Sequence, residues 1–532
     1  MSPIRSSRLP EISFIVLLAL SGVVSLLQGQ TAGANRVGRT SSERSRVLHM
    51  DSVVLNIPVG PDQALTPVTL KQLMQIFKVP GISLAVISNY RIVWARGYGS
   101  TDPAAGARVT PGTLFQAASI SKPVTAIGAL WLVEQGMVSL DEDVNNKLKS
   151  WKVPENEFTA NSKVTLRRIM SHSAGLTVHG FAGYPIGEPL PTLVQILNGE
   201  PPANSPAIRV DIVPGTKCRY SGGGTIVERQ LMMDVSGKSF EQFMEQQVFR
   251  KMGMADSTFE QHLPQSMASR AATGTRADGT PVNGRWHIYP ELAPDGLWTT
   301  SSDLAKLAIE VSLSKHGRSN RILSQKMTRE MLTTQISGGD GPVGLGFGVG
   351  YQSSPDLFRH NGGNEGFQSH LMMFADTGQG FAALGNSDAF SSVEPYLRET
   401  IAKLYGWKYT APPHSAADAV IVVEALMGLK PALDLARHIN AGVMPNYKQD
   451  AGTLNALGYR LLREKRPSEA IEVFKRNTEQ YPADGNVYDS LGEAYLANGQ
   501  KQLAIANYQK SLQLNANNQN AARQLKVLEA QH

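Results

Sequence analysis

Ser119-Ile120-Ser121-Lys122 places a hydroxyl and an amine three residues apart. On a helix the two side chains share a face. Neither is a strong nucleophile or base alone at neutral pH, but a lysine beside a serine can take its proton, or hold a third group that does. The chemistry this spacing offers is acyl transfer through a serine. The same spacing recurs at Ser312-Leu313-Ser314-Lys315, so the surrounding elements have to distinguish the two.

The first copy opens a helix. Pro123 fits only a first turn, Val124, Ile127, Leu130 and Trp131 recur at helical spacing, and Gly136 closes the run. Ser119 then stands at a helix N-terminus, where free N–H groups and the helix dipole favour the negative charge that develops on an attacked carbonyl. The second copy ends a helix that runs from about Asp303 through Leu304, Leu307, Ala308 and Val311 to a Gly317 cap. A lysine at a helix C-terminus is ordinary surface chemistry.

Around these helices the sequence reads as sheet on both flanks and helix in the centre. Ile82–Ser88 and Arg91–Tyr98, joined by Asn89-Tyr90, predict a hairpin. Helical patterns dominate to about residue 255. Leu345, Phe347 and Val349, alternating with glycines 344 to 350, predict a strand, as do Gly366–Phe374 and Gly380–Asn386. The glycine alternation lacks the spacing of a nucleotide loop, and Asp141-Glu142-Asp143 lacks the glycine and terminal glutamate of a calcium loop, which leaves a solvated acidic turn.

At 532 residues, 42% hydrophobic, the chain is long enough for two or three domains with large cores. Its net charge of +6 is spread without a basic block or an aromatic-interleaved patch, which argues against nucleic acid as a partner. Arg5 and Arg8, the apolar run Ile12–Leu27 and the small residues Ala32-Gly33-Ala34 read as an export signal over residues 1–34. The protein is therefore expected to be periplasmic or secreted, with membrane attachment only if the signal stays uncleaved. Residues 35–60 read as a linker. Cys218 is the one cysteine, so no internal disulfide forms, and it is read as a small buried filler.

Near the C-terminus Leu457-Gly458 recurs as Leu491-Gly492, Ala470-Ile471 as Ala504-Ile505, and Phe474 as Tyr508, a period of 34 residues. Tyr488, Tyr495 and Pro482 complete the pattern. The segment 451–532 resembles tetratricopeptide repeats, two copies and a final helix from Asn520 to Leu528. That is fewer than such repeats usually need, so Ala416–Ile439, within a helical connector of residues 413–450, is expected to supply a further pair or to dock on the preceding domain. The resemblance implies a protein partner.

Three more segments follow Ser119 in order: Ser171-His172-Ser173-Ala174-Gly175-Leu176, Pro214-Gly215-Thr216-Lys217-Cys218-Arg219-Tyr220-Ser221, and His360-Asn361-Gly362-Gly363. With Gly296-Leu297-Trp298-Thr299-Thr300-Ser301-Ser302-Asp303-Leu304, they make residues 61–412 resemble the class C β-lactamase, penicillin-binding protein, D-alanyl-D-alanine peptidase and esterase superfamily. The resemblance implies an α+β fold, an antiparallel sheet flanked by helices plus a helical subdomain, followed by the all-α repeat segment. It implies Ser119 as the acylated nucleophile, Lys122 as its neighbouring cation, Tyr220 as general base and His360 where many relatives have lysine at the head of a strand. The backbone N–H groups of Ser119 and Gly363 would form the oxyanion hole, with His172, Gly222, Asn361 and Gly362 supporting the site. Whether Lys122 or Tyr220 takes the proton stays open. No metal or organic cofactor is implied.

Two departures bear on substrate. Tyr220-Ser221-Gly222 lacks the asparagine that contacts an acyl-amide, and His360 replaces a lysine that pairs with a substrate carboxylate. The expected activity is a serine hydrolase acting on a small ester or a D-amino-acid-type amide. The alternatives are a β-lactamase or a non-catalytic penicillin-binding sensor whose repeats recruit a partner. The chain contains neither a Gly-x-Ser-x-Gly elbow nor a His-Glu-x-x-His helix.

Overall fold

The computed structural model describes residues 55–57, 66–104, 106–339, 341–352, 354–444, 447–448 and 450–530. The expected export signal lies outside these residues. So does the expected linker, apart from a three-residue strand, Leu55–Ile57, paired antiparallel with Thr66–Val68.

An eight-stranded sheet organises the molecule. Its strands in chain order are β1 (Gly81–Ser88), β2 (Arg91–Gly99), β3 (Ile336–Gly338), β4 (Gly341–Val343), β5 (Gly348–Tyr351), β6 (Ser354–Asn364), β7 (Phe367–Phe374) and β8 (Gln379–Gly385). Across the sheet they run β2-β1-β8-β7-β6-β5-β4-β3, every neighbour antiparallel. The β1–β2 hairpin turns at Asn89 and Tyr90, both at positive φ, the two-residue geometry whose twist matches its strands. Chain-distant β1 and β8 pair one strand in from the β2 edge, so the sheet closes only when residues some 300 apart meet.

Both faces of the sheet are covered, which is why β1 is apolar nearly throughout rather than alternating. On the inner face Ala85, Ile87, Leu371, Met373 and Leu384 join one large core with the helical half of the molecule. That half contains α1 (Ser121–Glu134) and α2 (Gly222–Ser236); α3 (Ser301–Lys315) lies directly against the sheet, its Ser301 Oγ hydrogen-bonded to Ser83 Oγ at 2.9 Å. On the outer face Ile82, Leu84, Val86, Met372 and Phe381 build a second core with the short helix Leu70–Ile76 and with α4 (Glu394–Tyr405). Trp94 Nε1 there donates to Tyr405 Oη at 2.9 Å.

The C-terminal region is built of helices, with one short parallel strand pair between His414–Ser415 and Tyr447–Lys448: α5 (Ala416–Met427), α6 (Leu429–Asn440), α7 (Gly452–Arg463), α8 (Pro467–Gln480), α9 (Gly485–Ala497), α10 (Lys501–Leu514) and α11 (Gln519–Glu529). Each helix packs on the next or near it, and small residues set the approach. A Cβ at Gly458 would fall 2.4 Å from Phe474, and one at Gly492 2.8 Å from Tyr508. The α5–α6 pair joins the C-terminal helices to the sheet. It extends the helical stack by packing on α7, and Val420, Val422 and Val423 continue the outer-face core of the sheet.

Some sequence expectations need correction. The strand expected through Leu345 and Phe347 is broken: residues 344–347 form a bend, closed by Gly344 N–H donating to the Phe347 carbonyl, and only Gly348–Tyr351 is extended. Gly346 turns with φ +89° where a side chain would strike α1 at Ala126. The acidic turn is solvated as expected, with Asp141 exposed, and is held by the Asp141–Arg167 pair and by Asp143 capping Val144–Asn146.

Candidate active site

Ala118 occupies the left-handed region with φ +47°, uncommon for a residue with a Cβ. This turn, followed by one 3₁₀ turn over Ala118–Ile120, lifts Ser119 to the entry of α1. Buried hydrogen bonds hold it: Ser121 Oγ donates to the Ala118 carbonyl (2.6 Å) and accepts from the Leu297 N–H (3.0 Å), while Ser369 Oγ donates to the Ala117 carbonyl (2.7 Å). The nucleophile turn is thus clamped between the 290–297 loop and strand β7.

Lys122 Nζ donates to Ser119 Oγ at 2.9 Å, to the Pro294 carbonyl at 3.0 Å and to Asp295 Oδ1 at 3.3 Å. Ser119 Oγ in turn donates to the same Asp295 oxygen at 2.9 Å. Lys122 and Asp295 are both buried. Burial pulls the Lys122 ammonium down, but Asp295 and the Tyr220 hydroxyl beside it more than offset this and hold its pKa above the ordinary lysine value. The amine is therefore a cation, with no lone pair to accept a proton from Ser119.

The other expected residues converge on the same cavity, about 1010 Å³, whose lining includes Ser119, His172, Tyr220, Asp295, His360 and Gly363. The Tyr220 ring lies 5.0 Å from Lys122 Nζ, 4.3 Å from the His172 ring, 4.9 Å from His179 and 6.3 Å from His360. His172 Nδ1 accepts from the Ser221 N–H (3.3 Å) and its carbonyl accepts from the Arg219 N–H (2.8 Å), so it fixes the segment carrying Tyr220. Burial and the Lys122 cation push the His172 imidazole down to about 3. His360 is held below its ordinary value by the same two causes and is neutral over the physiological range.

His360 sits midway along β6, not at a strand head. The strand extends back to Ser354 because Phe358 and Arg359 pair with Val349 and Gly348 of β5. That pairing ends at Arg359, and the edge from His360 to Gly363 faces the cavity. A Cβ at Gly362 would fall 2.3 Å from the Ala117 carbonyl and 2.9 Å from Ser119 N, whereas one at Gly363 would meet nothing within 4 Å. Glycine at 362 lets the edge press against the nucleophile, and Gly363 borders open space. A carbonyl seated there would lie between two backbone segments at the start of a helix, a setting that stabilises an oxyanion.

Gly222 shows why the asparagine amide is missing. A side chain at that position would run into the His179 carbonyl and the Phe181 ring, each 3.1 Å from its Cβ. The preceding Ser221 instead caps α2, accepting from the Gly224 N–H at 2.9 Å.

The second Ser-x-x-Lys does nothing comparable. Ser312 Oγ donates back to the Ala308 carbonyl within α3, and Lys315 pairs with Asp376. Cys218 departs from the buried-filler expectation: it is half-buried on the cavity wall, near Gly338. Of residues 180–211 only Gly180 and Phe181 line the cavity; another wall comes from Gly338, Gly339 and residues within 341–348, which the sequence marked in part as a strand but not as part of a site. Asp295 was missed altogether. It lies one residue before the Gly296-Leu297-Trp298 motif and 176 residues from Ser119, so no periodicity ties the two together. The one signal was an acid between Pro294 and that motif.

Among the described residues no group of three or more His, Cys, Asp or Glu could hold a metal ion.

An antiparallel sheet with a helical half, and a Ser-x-x-Lys turn facing a Tyr-bearing loop and a sheet edge, define a serine hydrolase of the penicillin-recognising class. The chain belongs to the beta-lactamase family, whose model matches residues 69–405. It is 23% identical over 349 residues to the D-alanyl-D-alanine-carboxypeptidase/endopeptidase AmpH of Escherichia coli K12, covering 63% of this chain and 87% of that enzyme. Among solved structures it resembles the octameric penicillin-binding protein homologue from Pyrococcus abyssi, with a TM-score of 0.53, 24% identity and coverage of 63% of this chain and 76% of that one. It also resembles the beta-lactamase/D-alanine carboxypeptidase from Yersinia pestis complexed with citrate, with a TM-score of 0.51, 19% identity and coverage of 63% and 95%. At these identities the likeness to solved structures is one of fold.

Proposed function

We propose that the protein is an exported serine hydrolase that forms an acyl-enzyme on Ser119, with a small ester or a D-amino-acid-type amide as substrate. The observation that carries this reading is Ser119 Oγ held 2.9 Å from the buried Lys122 ammonium at a helix entry, opening into a cavity. In this reading Lys122 orients the hydroxyl and stabilises charge, the Ser119 and Gly363 N–H groups receive the carbonyl oxygen, and Tyr220 lines the cavity beside the reacting serine. Neutral His360 and the missing amide at Gly222 weaken two contacts a β-lactam or an acyl-D-alanine would use. The balance shifts toward esters and toward amides with an uncharged leaving side.

Two further parts of the reading rest on sequence. The apolar run Ile12–Leu27 and the small residues after it favour export with cleavage near Ala34. No helix among the described residues is long and apolar enough to cross a membrane. Helices α7 to α11, with their 34-residue recurrence, act as tetratricopeptide repeats that receive a protein partner.

A fluorophosphonate probe and a fluorescent penicillin should label the wild-type protein but not Ser119→Ala. A panel of p-nitrophenyl acetate, a D-Ala-D-Ala peptide and nitrocefin should show ester turnover well above nitrocefin turnover. Penicillin labelling without turnover of any member would favour the sensor reading; no labelling at all would overturn acyl-enzyme chemistry.

A further inference from the structure

We infer that Asp295 is a catalytic residue, the base that takes the Ser119 proton; this rests on the serine-hydrolase reading. The Ser119 hydroxyl is already committed to it, donating to Asp295 Oδ1 at 2.9 Å. Lys122 donates to both the serine and this carboxylate, so its proton-bearing amine fixes the pair but cannot accept. A hydroxyl hydrogen-bonded to an ionised carboxylate inside a low-dielectric site is the arrangement from which general base catalysis proceeds.

The carboxylate is placed there by the fold. Leu292 takes φ +55° and its carbonyl accepts from the Asp295 and Gly296 N–H groups, making a tight turn. A side chain at Gly296 would strike Leu292 at 2.7 Å. Asn364 Nδ2 donates to the Asp295 carbonyl at 3.0 Å and to Gln116 Oε1 at 2.9 Å, so the turn, the sheet edge and the nucleophile strand are tied together. Asp295 is only 3% exposed and its second oxygen, Oδ2, is buried without a hydrogen-bond partner. Here one oxygen carries two donors from reacting groups and the other is left with spare accepting capacity.

Asp295 also lessens what Lys122 can do for Tyr220. Asp295 pairs with the Lys122 ammonium at 3.3 Å and takes up part of the charge that would otherwise face Tyr220. His360, neutral in the same cavity, adds no second cation.

As Ser119 Oγ bonds to the substrate carbonyl carbon, its proton passes to Asp295 Oδ1 and the carbonyl π pair moves to oxygen. Collapse breaks the bond to the leaving group, which takes the proton from Asp295. Water then attacks the acyl carbon and gives a proton to Asp295. Ser119 Oγ departs and recovers it.

The test compares Asp295→Asn, Tyr220→Phe and wild type for fluorophosphonate labelling rate and p-nitrophenyl acetate turnover between pH 5 and 9.5, with thermal melts confirming the fold of each. The groups facing Asp295 that could shape the profile are Lys122, Tyr289 and Glu291. Asp295→Asn should lower acylation at pH 7 at least 100-fold, within the range for loss of a general base, and acetate or formate should restore part of the activity of Asp295→Ala. Tyr220→Phe should retain more activity at pH 7 than Asp295→Asn. If folded Asp295→Asn acylates at close to the wild-type rate, or if only Tyr220→Phe collapses it and wild-type activity climbs steadily to pH 9.5, the inference fails. Failure of wild type itself to label would overturn the underlying reading instead.

Discussion

Lys122 and Asp295 are a buried ion pair on which two quite different demands fall, stability and catalysis, and the two can be separated. Taking both charges out of water is costly, and the pair offsets this only while both members are present. Lys122→Met leaves Asp295 as an unpaired buried carboxylate and should cost about 3–5 kcal/mol of stability. Adding Asp295→Asn should return most of that loss, while activity stays absent in both variants. Urea denaturation at unchanged slope reads the first effect; equal stabilities for the single and double variants would show that the pair is not coupled. Gly362 makes a related point without charge, since any side chain there would push the sheet edge off the Ser119 backbone.

At the scale of elements, α2 and the 290–297 loop each carry a buried acid that the chemistry does not need. Burial pushes Glu228 of α2 up to about 8, and Glu291 is likewise raised to about 8. Both are neutral in the folded protein well above the pH at which an unfolded carboxyl ionises. The folded state therefore binds more protons between about 4.5 and 8, and stability declines as pH rises through that window. His172 and His360 work the other way: both held to about 3, they stay neutral while unfolded imidazoles gain protons below about 6.5, and stability declines as pH falls from there. The terms oppose each other between about 4.5 and 6.5, so the thermal midpoint should plateau there and fall on both sides. Glu228→Gln should raise the midpoint at pH 8.5 by several degrees and leave it nearly unchanged at pH 5; an equal shift at both would rule out ionisation as the cause. The sequence made some elements plain and hid others for a physical reason. Asn89-Tyr90 between two apolar runs and Pro123 before an apolar stripe are local signals, and the hairpin and α1 formed where they pointed. Asp295 and the 338–348 cavity wall depend on packing between residues far apart in the chain, and local periodicity holds no trace of that. The break at 344–347 belongs with these, because Gly346 turns to avoid a helix more than two hundred residues earlier.

For the whole molecule the decisive feature is that the C-terminal helices are not an appended rod. α5 buries Val420, Val422 and Val423 in the same outer core as Ile82, Leu84, Val86 and Phe381 of the sheet. Residues 61–412 alone would bare that apolar face, whereas removal of α10 and α11 leaves it covered. The shorter deletion should stay soluble, and the longer one should aggregate or bind a hydrophobic dye strongly, as monitored by soluble yield and dye fluorescence. Equal solubility would show that the sheet does not rely on α5.

The site is also a seam. Gln116 and Asn364 meet across 248 residues and Ser119 and Asp295 across 176, and neither the sheet nor the helical half holds the reacting groups by itself. Contacts of such range form late, because chain closure must come before they contribute. During refolding, helical signal should therefore return before the ability to acylate, and a covalent probe of Ser119 would serve as a clock for the last step of assembly.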